Sequence, residues 1–481
     1  MRRPDTPDAG QLPRSLRFFL ALLAAKLVSA VLRLMGRSAS QFPGSVAERI
    51  CPDFLSRIGK AQTTVCVTGT NGKTTTTNLL DDILIAAGKR PIMNRSGSNL
   101  LTGIGTSLLG DARLNGSMRS ELASFELDEL SCRLVLPPLA PEFLVVTNLY
   151  RDSFMRNANP DYIYGVIQDA IQPNMHLILN ADDLITCRLG TDANRKTFFS
   201  IGQLPESLEE AEGIVCDLAA CPECGGALEY EWCHLRHLGR ASCSRCGFHN
   251  PAPDYLVTRV DRDVNEFVVA EICHADNQGK VPEYTYRIKT YSIANLYNLL
   301  AAITAARELG IPGAQLEKIL ASDQVAITSA RYSEQTVAGT RLVNLASKGW
   351  NSTAVSTALR TIRSEPGSKA VVIFVAFFGL DENARTTEFP GWIYQVDFDH
   401  LLDDDIKQVI IHGCYAKDLL LRLELAGVDK AHVVIADDEL DAANRVQLEG
   451  IDAVFCAFDI EAHAESERFR DRVAKRLTAG F

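Results

Sequence analysis

The run Thr68-Gly69-Thr70-Asn71-Gly72-Lys73-Thr74-Thr75-Thr76 holds residues suited to phosphate chemistry. Glycines followed by Gly-Lys-Thr at the mouth of a helix let backbone N–H groups close around phosphate oxygens. Lys73 then neutralises the β/γ charge, and the Thr74 hydroxyl can ligate Mg2+. Such a loop works only if a strand delivers the chain to it and a helix carries the chain away. Thr63-Thr64-Val65-Cys66-Val67 reads as that strand, and the pattern from Asn78 to Ala87, ended by Gly88, as that helix. Only two residues separate Gly69 from Gly72, where the general phosphate-loop pattern has four, so context rather than spacing carries the assignment. The bland alternative is a helix start that happens to hold Gly-Lys-Thr.

A second constellation is Cys221-Pro-Glu-Cys224 with Cys243-Ser-Arg-Cys246, that is C-x2-C-x18-C-x2-C. Each pair forms a tight knuckle presenting two thiolates, and two knuckles close a tetrahedron around Zn2+ with no position left for water. The expected role is structural, with zinc supplying folding energy to a small insert. Two redox dithiol pairs are the alternative. Cys233 and His234 lie between the knuckles without a knuckle partner and read as bystanders. The 13 cysteines are an odd number and too dilute in 481 residues for a disulfide scaffold.

The phosphate loop resembles the ATP loop of the Mur ligases, enzymes that join a carboxylate to an amine through an acyl phosphate. The four-cysteine insert, with His237-Leu238-Gly239 between its knuckles, is similar to one branch of that family, the MurT-type subunits. The resemblance implies further site residues. Ser124-Phe125-Glu126-Leu127-Asp128-Glu129 is an acidic cluster of the kind that supplies Mg2+ with a carboxylate. Glu126 matches the family's metal-binding glutamate, so Thr74 and Glu126 are the expected magnesium ligands. Solvated charge at a helix start is the reading accepted for one of Asp128 and Glu129. Val145-Val146-Thr147-Asn148-Leu149 matches the family's threonine-asparagine-leucine segment, which continues into Arg151-Asp152. Asn180-Ala181-Asp182-Asp183 follows the apolar run Leu177-Ile178-Leu179, at a strand end where doubly wound folds place ligand contacts. Asn295 and Asn298 share a helical face; alone they read as capping residues, and the resemblance places them near the nucleotide, as it does Arg331. The expected nucleotide contacts are therefore Gly69, Thr70, Asn71, Gly72, Lys73, Thr74, Thr75, Asn295, Asn298 and Arg331.

The elements needed to hold these residues fit the composition. A chain of 481 residues calls for two or three cores, and 46% hydrophobic with 23% charged residues describes a globular protein, neither disordered nor many-spanning. A net charge of −11 argues against general nucleic-acid binding and leaves any polyanion to a local basic site. Leu16 to Met35 is the most apolar stretch. Lys26 near its middle and Arg33 near its end weigh against a membrane span. Phe18, Leu22 and Ala25, then Leu27, Ala30 and Leu34, read as one apolar face of a helix packed on the body; a helix lying on the membrane surface and a signal or anchor are the alternatives.

The expected architecture is α/β. An N-terminal amphipathic segment (1–45) precedes a Mur-ligase-like phosphate-loop domain (46–325) with a zinc ribbon inserted at about 215–255. A C-terminal Rossmann-like α/β domain (326–481) follows, with strands at Arg341 to Leu345, Ala370 to Phe378, Val409 to His412 and Val433 to Ala436, and helices at Ser352 to Ser364 and Ala416 to Gly427. Gly413-Cys414-Tyr415-Ala416-Lys417-Asp418, with Ala426-Gly427-Val428 after it, resembles the closing part of the MurT C-terminal domain. The match departs at Leu345-Ala346-Ser347-Lys348 before Gly349-Trp350-Asn351, at Ser329-Ala330 before Arg331, at Gln395 in the segment Trp392 to Asp399, and at a missing Asp-Gly-x-Asp before Trp392. In the family an aspartate of this region orients the catalytic histidine of a partner glutaminase, GatD. Glu388 is the expected counterpart here, with Asp381 and Asp397 as alternatives.

The chain has no convincing Gly-x-Cys-x-Gly nucleophile elbow, so ammonia is expected from a separate GatD-like glutamine amidotransferase. The resemblance implies ATP- and Mg2+-dependent amidation of the D-glutamate α-carboxylate of lipid II, with zinc as a structural ion. The expected location is the cytoplasm, with contact at the inner membrane surface an open alternative. An amino-acid-adding Mur or folylpolyglutamate-type ligase and a catalytically impaired nucleotide-binding scaffold are the competing readings.

Overall fold

Consecutive apolar residues in a strand, as in Val65-Cys66-Val67 and Leu177-Ile178-Leu179, need cover on both faces of their sheet, which helices crossing between parallel strands provide. The computed structural model is built this way. It describes residues 12–37, 40–95, 98–151, 159–211, 213–290, 292–322, 324–326, 332–347, 351–375, 390–413, 415–459 and 462–480. The chain divides into two units: the first runs to Ile327, and the second runs from Thr328 to Phe481 and also takes in Arg151–Ala158 and Gly213–Cys216.

In chain order the first unit contains α1 (Leu16–Leu34), α2 (Phe42–Ile50), α3 (Phe54–Arg57), β1 (Thr63–Thr68), α4 (Lys73–Ala86), β2 (Ile92–Met93), α5 (Leu101–Asp111), β3 (Leu122–Glu126), α6 (Cys132–Leu139), β4 (Phe143–Val146), α7 (Pro160–Ala170), β5 (His176–Asn180) and β6 (Lys196–Ile201). It continues with β7 (Leu228–Leu235), β8 (Leu238–Cys243), β9 (Tyr255–Asp261), β10 (Glu266–Glu271), β11 (Glu283–Arg287), α8 (Ile293–Glu308) and α9 (Gly313–Leu320). Nine strands form one sheet in the order β11-β10-β9-β6-β5-β4-β1-β3-β2. Pairing is parallel from β2 to β9 and antiparallel across β9, β10 and β11. Alternation along each strand divides the core. Cys66, Phe125, Leu144 and Leu177 pack with residues of α1, α5, α6 and α7, while Val65, Val67, Val145 and Ile178 pack with α4, α8 and α9. Because β1 pairs with β3 on one side and β4 on the other, its exit lies where the strand order reverses, the place where open α/β sheets bind ligands.

The single apolar face expected for α1 is two faces. Phe18, Leu22 and Ala25 are fully buried, whereas Leu27 and Leu34 are 67% and 88% exposed. The step from Ala25 to Leu27 is two residues, which turns the side chain to the opposite side of a helix with 3.6 residues per turn. Ser15 caps the start by accepting from Phe18 N–H at 3.2 Å. Lys26 donates from Nζ to the carbonyls of Leu109 (2.8 Å) and Ala112 (2.5 Å), placing a cation at the C-terminus of α5, where the helix dipole favours one. Among the described residues no helix is long and apolar enough to cross a membrane.

The second unit contains β12 (Tyr332–Val337), β13 (Thr340–Ser347), α10 (Ser352–Ser364), β14 (Lys369–Val375), β15 (Ile406–Gly413), α11 (Ala416–Ala426), β16 (Val433–Ile435), α12 (Glu439–Arg445), β17 (Ala453–Asp459) and α13 (His463–Ala479). Its six strands run β12-β13-β17-β14-β15-β16, parallel apart from β12. Four strands and two helices lie where sequence patterning puts them. It missed β17, which sits between β13 and β14 in mid-sheet, together with β12, α12 and α13.

Candidate functional site

The loop Gly69–Gly72 is held by the ends of neighbouring strands. Thr70 N–H donates to the Asn148 carbonyl at 2.9 Å and its hydroxyl to the Tyr150 carbonyl at 3.1 Å, while Asn71 N–H donates to Asn148 Oδ1 at 3.0 Å. Thr147 Oγ1 and Asn148 Nδ2 both donate to the Asn71 carbonyl, at 2.7 and 3.1 Å. The threonine-asparagine segment after β4 thus clamps the loop from outside. Both loop glycines adopt positive φ, 129° at Gly69 and 83° at Gly72. A Cβ on Gly72 would lie 1.9 Å from Asn298 Oδ1, and one on Gly69 would lie 2.3 Å from Thr147 Oγ1. Only glycine fits this approach. Gly72 is also the residue before α4, so the orphan N–H groups of that helix open at the loop.

Lys73 is folded over its own loop. Its Nζ donates to the carbonyls of Gly69 (2.6 Å) and Thr70 (3.2 Å) and to Glu129 Oε1 (2.9 Å). Glu129 and Asp128 are both buried, at 3% and 6% exposure, so solvated helix-start charge is wrong for either. The expectation failed because β3 runs beside β1 and carries the segment after Glu126 into the loop rather than to the surface. Glu126 stands opposite Val67 in the β1–β3 register, at the strand end beside the loop, and its Oε1 accepts from Asn99 Nδ2 at 2.9 Å. Thr74 is exposed and Thr75 partly so.

Helix α8 closes the loop from the other side. Thr76 Oγ1 donates to the Asn298 carbonyl at 3.3 Å, and Asn298 Oδ1 faces Gly72, so Asn298 is brought to the loop. Asn295 lies one turn earlier, half-buried, its N–H capped by Ser292 Oγ at 3.3 Å. Tyr297 ties α8 to the sheet by donating to Asp182 Oδ2 at 2.8 Å. Burial pushes the Asp182 carboxyl up to about 6, against the hydrogen bonds it accepts from Ser200, Ile201 N–H and Tyr297. Arg331 and Asp152 lie outside the described residues.

The four cysteines converge. Their sulfurs all lie within 4.8 Å of one another, with Cys221–Cys246 at 3.6 Å and Cys224–Cys243 at 3.5 Å. A Zn2+ tetrahedron with bonds of about 2.3 Å has sulfur edges of about 3.8 Å, so the donor set fits that ion. Each knuckle turns at a glycine of positive φ, Gly225 and Gly247, whose N–H donates back to the first cysteine's carbonyl at 2.9 Å. The bystanders are engaged elsewhere: Cys233 Sγ donates to the Arg236 carbonyl, and His234 Nε2 faces the Gly202 carbonyl at 3.1 Å. The tip of the β7–β8 hairpin enters the core, where His237 Nε2 meets Asp183 Oδ1 at 3.2 Å with both side chains fully buried. Burial raises the Asp183 carboxyl, but the nearby His237 and its hydrogen bonds outweigh this and hold it below the usual carboxylate range. Asp183 Oδ2 in turn accepts from Leu149 N–H at 2.8 Å, next to the clamp on the loop. Sequence reasoning missed the pairings of Glu129 with Lys73 and of His237 with Asp183.

In the second unit Asp397 is 4% exposed, and its Oδ1 accepts from Ile214 N–H at 2.7 Å. That contact lies inside its own unit. Glu388, Asp381, Lys348, Gly349, Trp350 and Cys414 lie outside the described residues. Asn351 caps α10, accepting from Ala354 N–H at 2.9 Å. Ser347, Ile373, Trp392, Phe398 and Asp459 line a crevice at the strand ends of this sheet.

The family model described as MurT ligase C-terminal matches residues 350–457. Over 427 residues the chain is 29% identical to the Staphylococcus aureus protein named lipid II isoglutaminyl synthase (glutamine-hydrolyzing) subunit MurT, covering 88% of this chain and 91% of that one. The Streptococcus pneumoniae protein of the same name is 28% identical, over 86% and 88%. Along most of its length the chain is thus similar to the MurT-type subunits of the Mur ligases. Solved Mur-type ligases share the fold. A pseudomurein peptide ligase type C from Methanothermus fervidus superposes with a TM-score of 0.65 at 19% identity, over 88% of this chain and 80% of that one. MurF from Thermotoga maritima, solved with ADP, gives 0.56 at 15% identity, over 91% and 85%.

Proposed function

We propose that the protein is the ATP-dependent ligase subunit of an enzyme that amidates the D-glutamate α-carboxylate of lipid II to D-isoglutamine, taking ammonia from a GatD-like glutaminase. The observation that carries this reading is the clamped loop, with Lys73 and the start of α4 at the switch point of a Mur-type sheet, in a chain that aligns along most of its length with relatives named as synthase subunits. Lys73 would leave Glu129 for the β/γ-phosphates, and the loop N–H groups would hold the remaining oxygens. Asn298, and Asn295 one turn before it, would face the base. Thr74 and Glu126 would hold Mg2+, which supplies charge neutralisation at the phosphates when bound. The substrate carboxylate attacks the γ-phosphorus, ADP departs, and ammonia displaces phosphate from the acyl phosphate. Positioning and electrostatics account for the chemistry. Zn2+ in the four-cysteine site would act structurally. Glu388 or Asp381 would supply the acid to the partner's histidine; Asp397, already engaged, is the weaker choice.

The test is glutamine-dependent ATP hydrolysis on lipid II by the chain purified with and without a GatD-like partner. Turnover that requires glutamine and partner, or free ammonia in place of both, is expected. Activity with free amino acids and no partner would overturn the reading.

A further inference from the structure

We infer that α1 docks the protein on an anionic phospholipid bilayer through the face it turns away from its own unit. The inference extends the proposed reading, in which the substrate is lipid-linked, and rests on that reading for the choice of a membrane as a useful place to be. Leu16, Leu20, Leu23, Leu27, Val31 and Leu34 follow one another at separations of 4, 3, 4, 4 and 3 residues, which sets them in one line along a helix. Their exposures are 78%, 56%, 53%, 67%, 45% and 88%. The opposite line, Phe18, Ala21, Leu22 and Ala25, is fully buried. One face therefore fastens the helix to the sheet unit, and the other presents a continuous apolar strip of a kind that marks interaction surfaces.

Charge identifies the occupant. Between Ala9 and Ala47 the chain holds Arg14, Arg17, Lys26, Arg33 and Arg37 and no Asp or Glu, in a protein of net charge −11. Arg17, Arg33 and Arg37 are exposed. Arg119 and Arg33 lie near enough to Lys26 to add to burial, the larger cause, in lowering its ammonium. A second copy seated on this face would set cations against cations. A layer of anionic headgroups over acyl chains meets both the arginines and the leucines. Depth is limited by Lys26, whose Nζ is tied to the carbonyls at the end of α5. The helix thus lies in the interface and keeps the unit beneath it on the water side.

The experiment is co-sedimentation of the full-length chain with vesicles of phosphatidylcholine alone or mixed with phosphatidylglycerol, without ATP, partner or substrate. Binding to the anionic vesicles, weakened at least about tenfold in neutral ones and falling with salt, is expected. Leu23→Glu with Leu27→Glu should reduce binding about tenfold or more, while Leu425→Glu, at a site 67% exposed in the second unit, should leave it unchanged. If the leucine variant melts early, Arg33→Glu with Arg37→Glu carries the test and should abolish the preference for anionic vesicles. Equal binding to both vesicles, or full binding by the variants, overturns the proposal. So does a dimer in light scattering that the leucine variant splits, with no vesicle binding by the wild type. Since no turnover is measured, these outcomes leave the amidation reading untouched, and a failed amidation assay leaves them untouched.

Discussion

The two units have the same kind of sheet edge and use it differently. At the C-terminal ends of β1, β3, β4 and β5 the first unit gathers Lys73, Glu126, Asp128, Glu129, Asn148, Asp182 and Asp183, all buried, with Lys73, Glu129 and Asn148 hydrogen-bonded within the loop region and Asp183 beside its clamp. At the corresponding ends of β13, β14 and β17 the second unit has a mostly apolar crevice, with Ser347 and Asp459 as the polar part of its lining. Buried charge is expensive unless paired. A sheet edge that collects so much of it is prepared for a highly charged ligand, and one lined by Trp392 and Phe398 is prepared for shape.

The largest test of that contrast is Lys73→Ala. In the proposed mechanism turnover should fall about a thousandfold or more, because a preorganised cation at the transferring phosphoryl group would be lost. The same change strands Glu129, and breaking a buried pair from one side costs about 3–5 kcal/mol. The urea midpoint should drop accordingly. Lys73→Met with Glu129→Gln should recover most of that stability and none of the turnover. If Lys73→Ala kept wild-type stability, the pair would not be the closed contact described above.

Next in size is the proposed zinc. Cys243→Ser would remove one of its four donors, and the variant should lose zinc by elemental analysis and become open to proteolysis between the knuckles. The hairpin tip is anchored by His237 on Asp183, so loosening should reach Leu149 and weaken nucleotide binding several-fold. His237→Ala, with zinc retained, separates the two causes: it should weaken nucleotide binding in the same direction and destabilise by about 1–3 kcal/mol.

The loop and the knuckles were readable in the sequence because their chemistry is local: glycines needing positive φ, a Gly-Lys-Thr, and cysteines two residues apart. What was not readable depends on register between distant strands. Lys73 and Glu129 are 56 residues apart and meet only because β3 pairs with β1; nothing in Leu127-Asp128-Glu129 announces burial. The split face of α1 was misread for a local reason, a two-residue step taken as a continuation. In the second unit β17 escaped the pattern although Ala453 to Asp459 is almost wholly apolar and Gly450, at positive φ, precedes it.

Asp182 offers a pH test of the charged edge. Its carboxyl is raised from 3.8 to about 6, chiefly by burial, so the folded chain holds a proton that the unfolded chain releases near its ordinary value. Stability from this group is fully present below about 4 and lost as pH rises through about 6. Asp182→Asn removes the titration. The stability difference, wild type minus variant, should therefore fall by on the order of 2–3 kcal/mol between pH 4 and pH 7 in urea melts. A constant difference would mean that Ser200 and Tyr297 hold the carboxylate ionised despite its burial.

The smallest expected effect tests the quieter edge. Asp397→Asn weakens the bond from Ile214 N–H by replacing a charged acceptor with a neutral one, at a cost of about 1–2 kcal/mol. In the proposed complex, glutamine hydrolysis by the partner should stay within about twofold of wild type, because Asp397 faces Gly213 and Ile214 within its own unit. Glu388→Gln and Asp381→Asn, measured beside it, should divide the other way, with one of them reducing glutamine hydrolysis and neither shifting the melt. If Asp397→Asn instead abolished glutamine hydrolysis at unchanged stability, the Ile214 contact would have to open when the partner binds, and the second unit's edge would hold a charged group in reserve as the first one does.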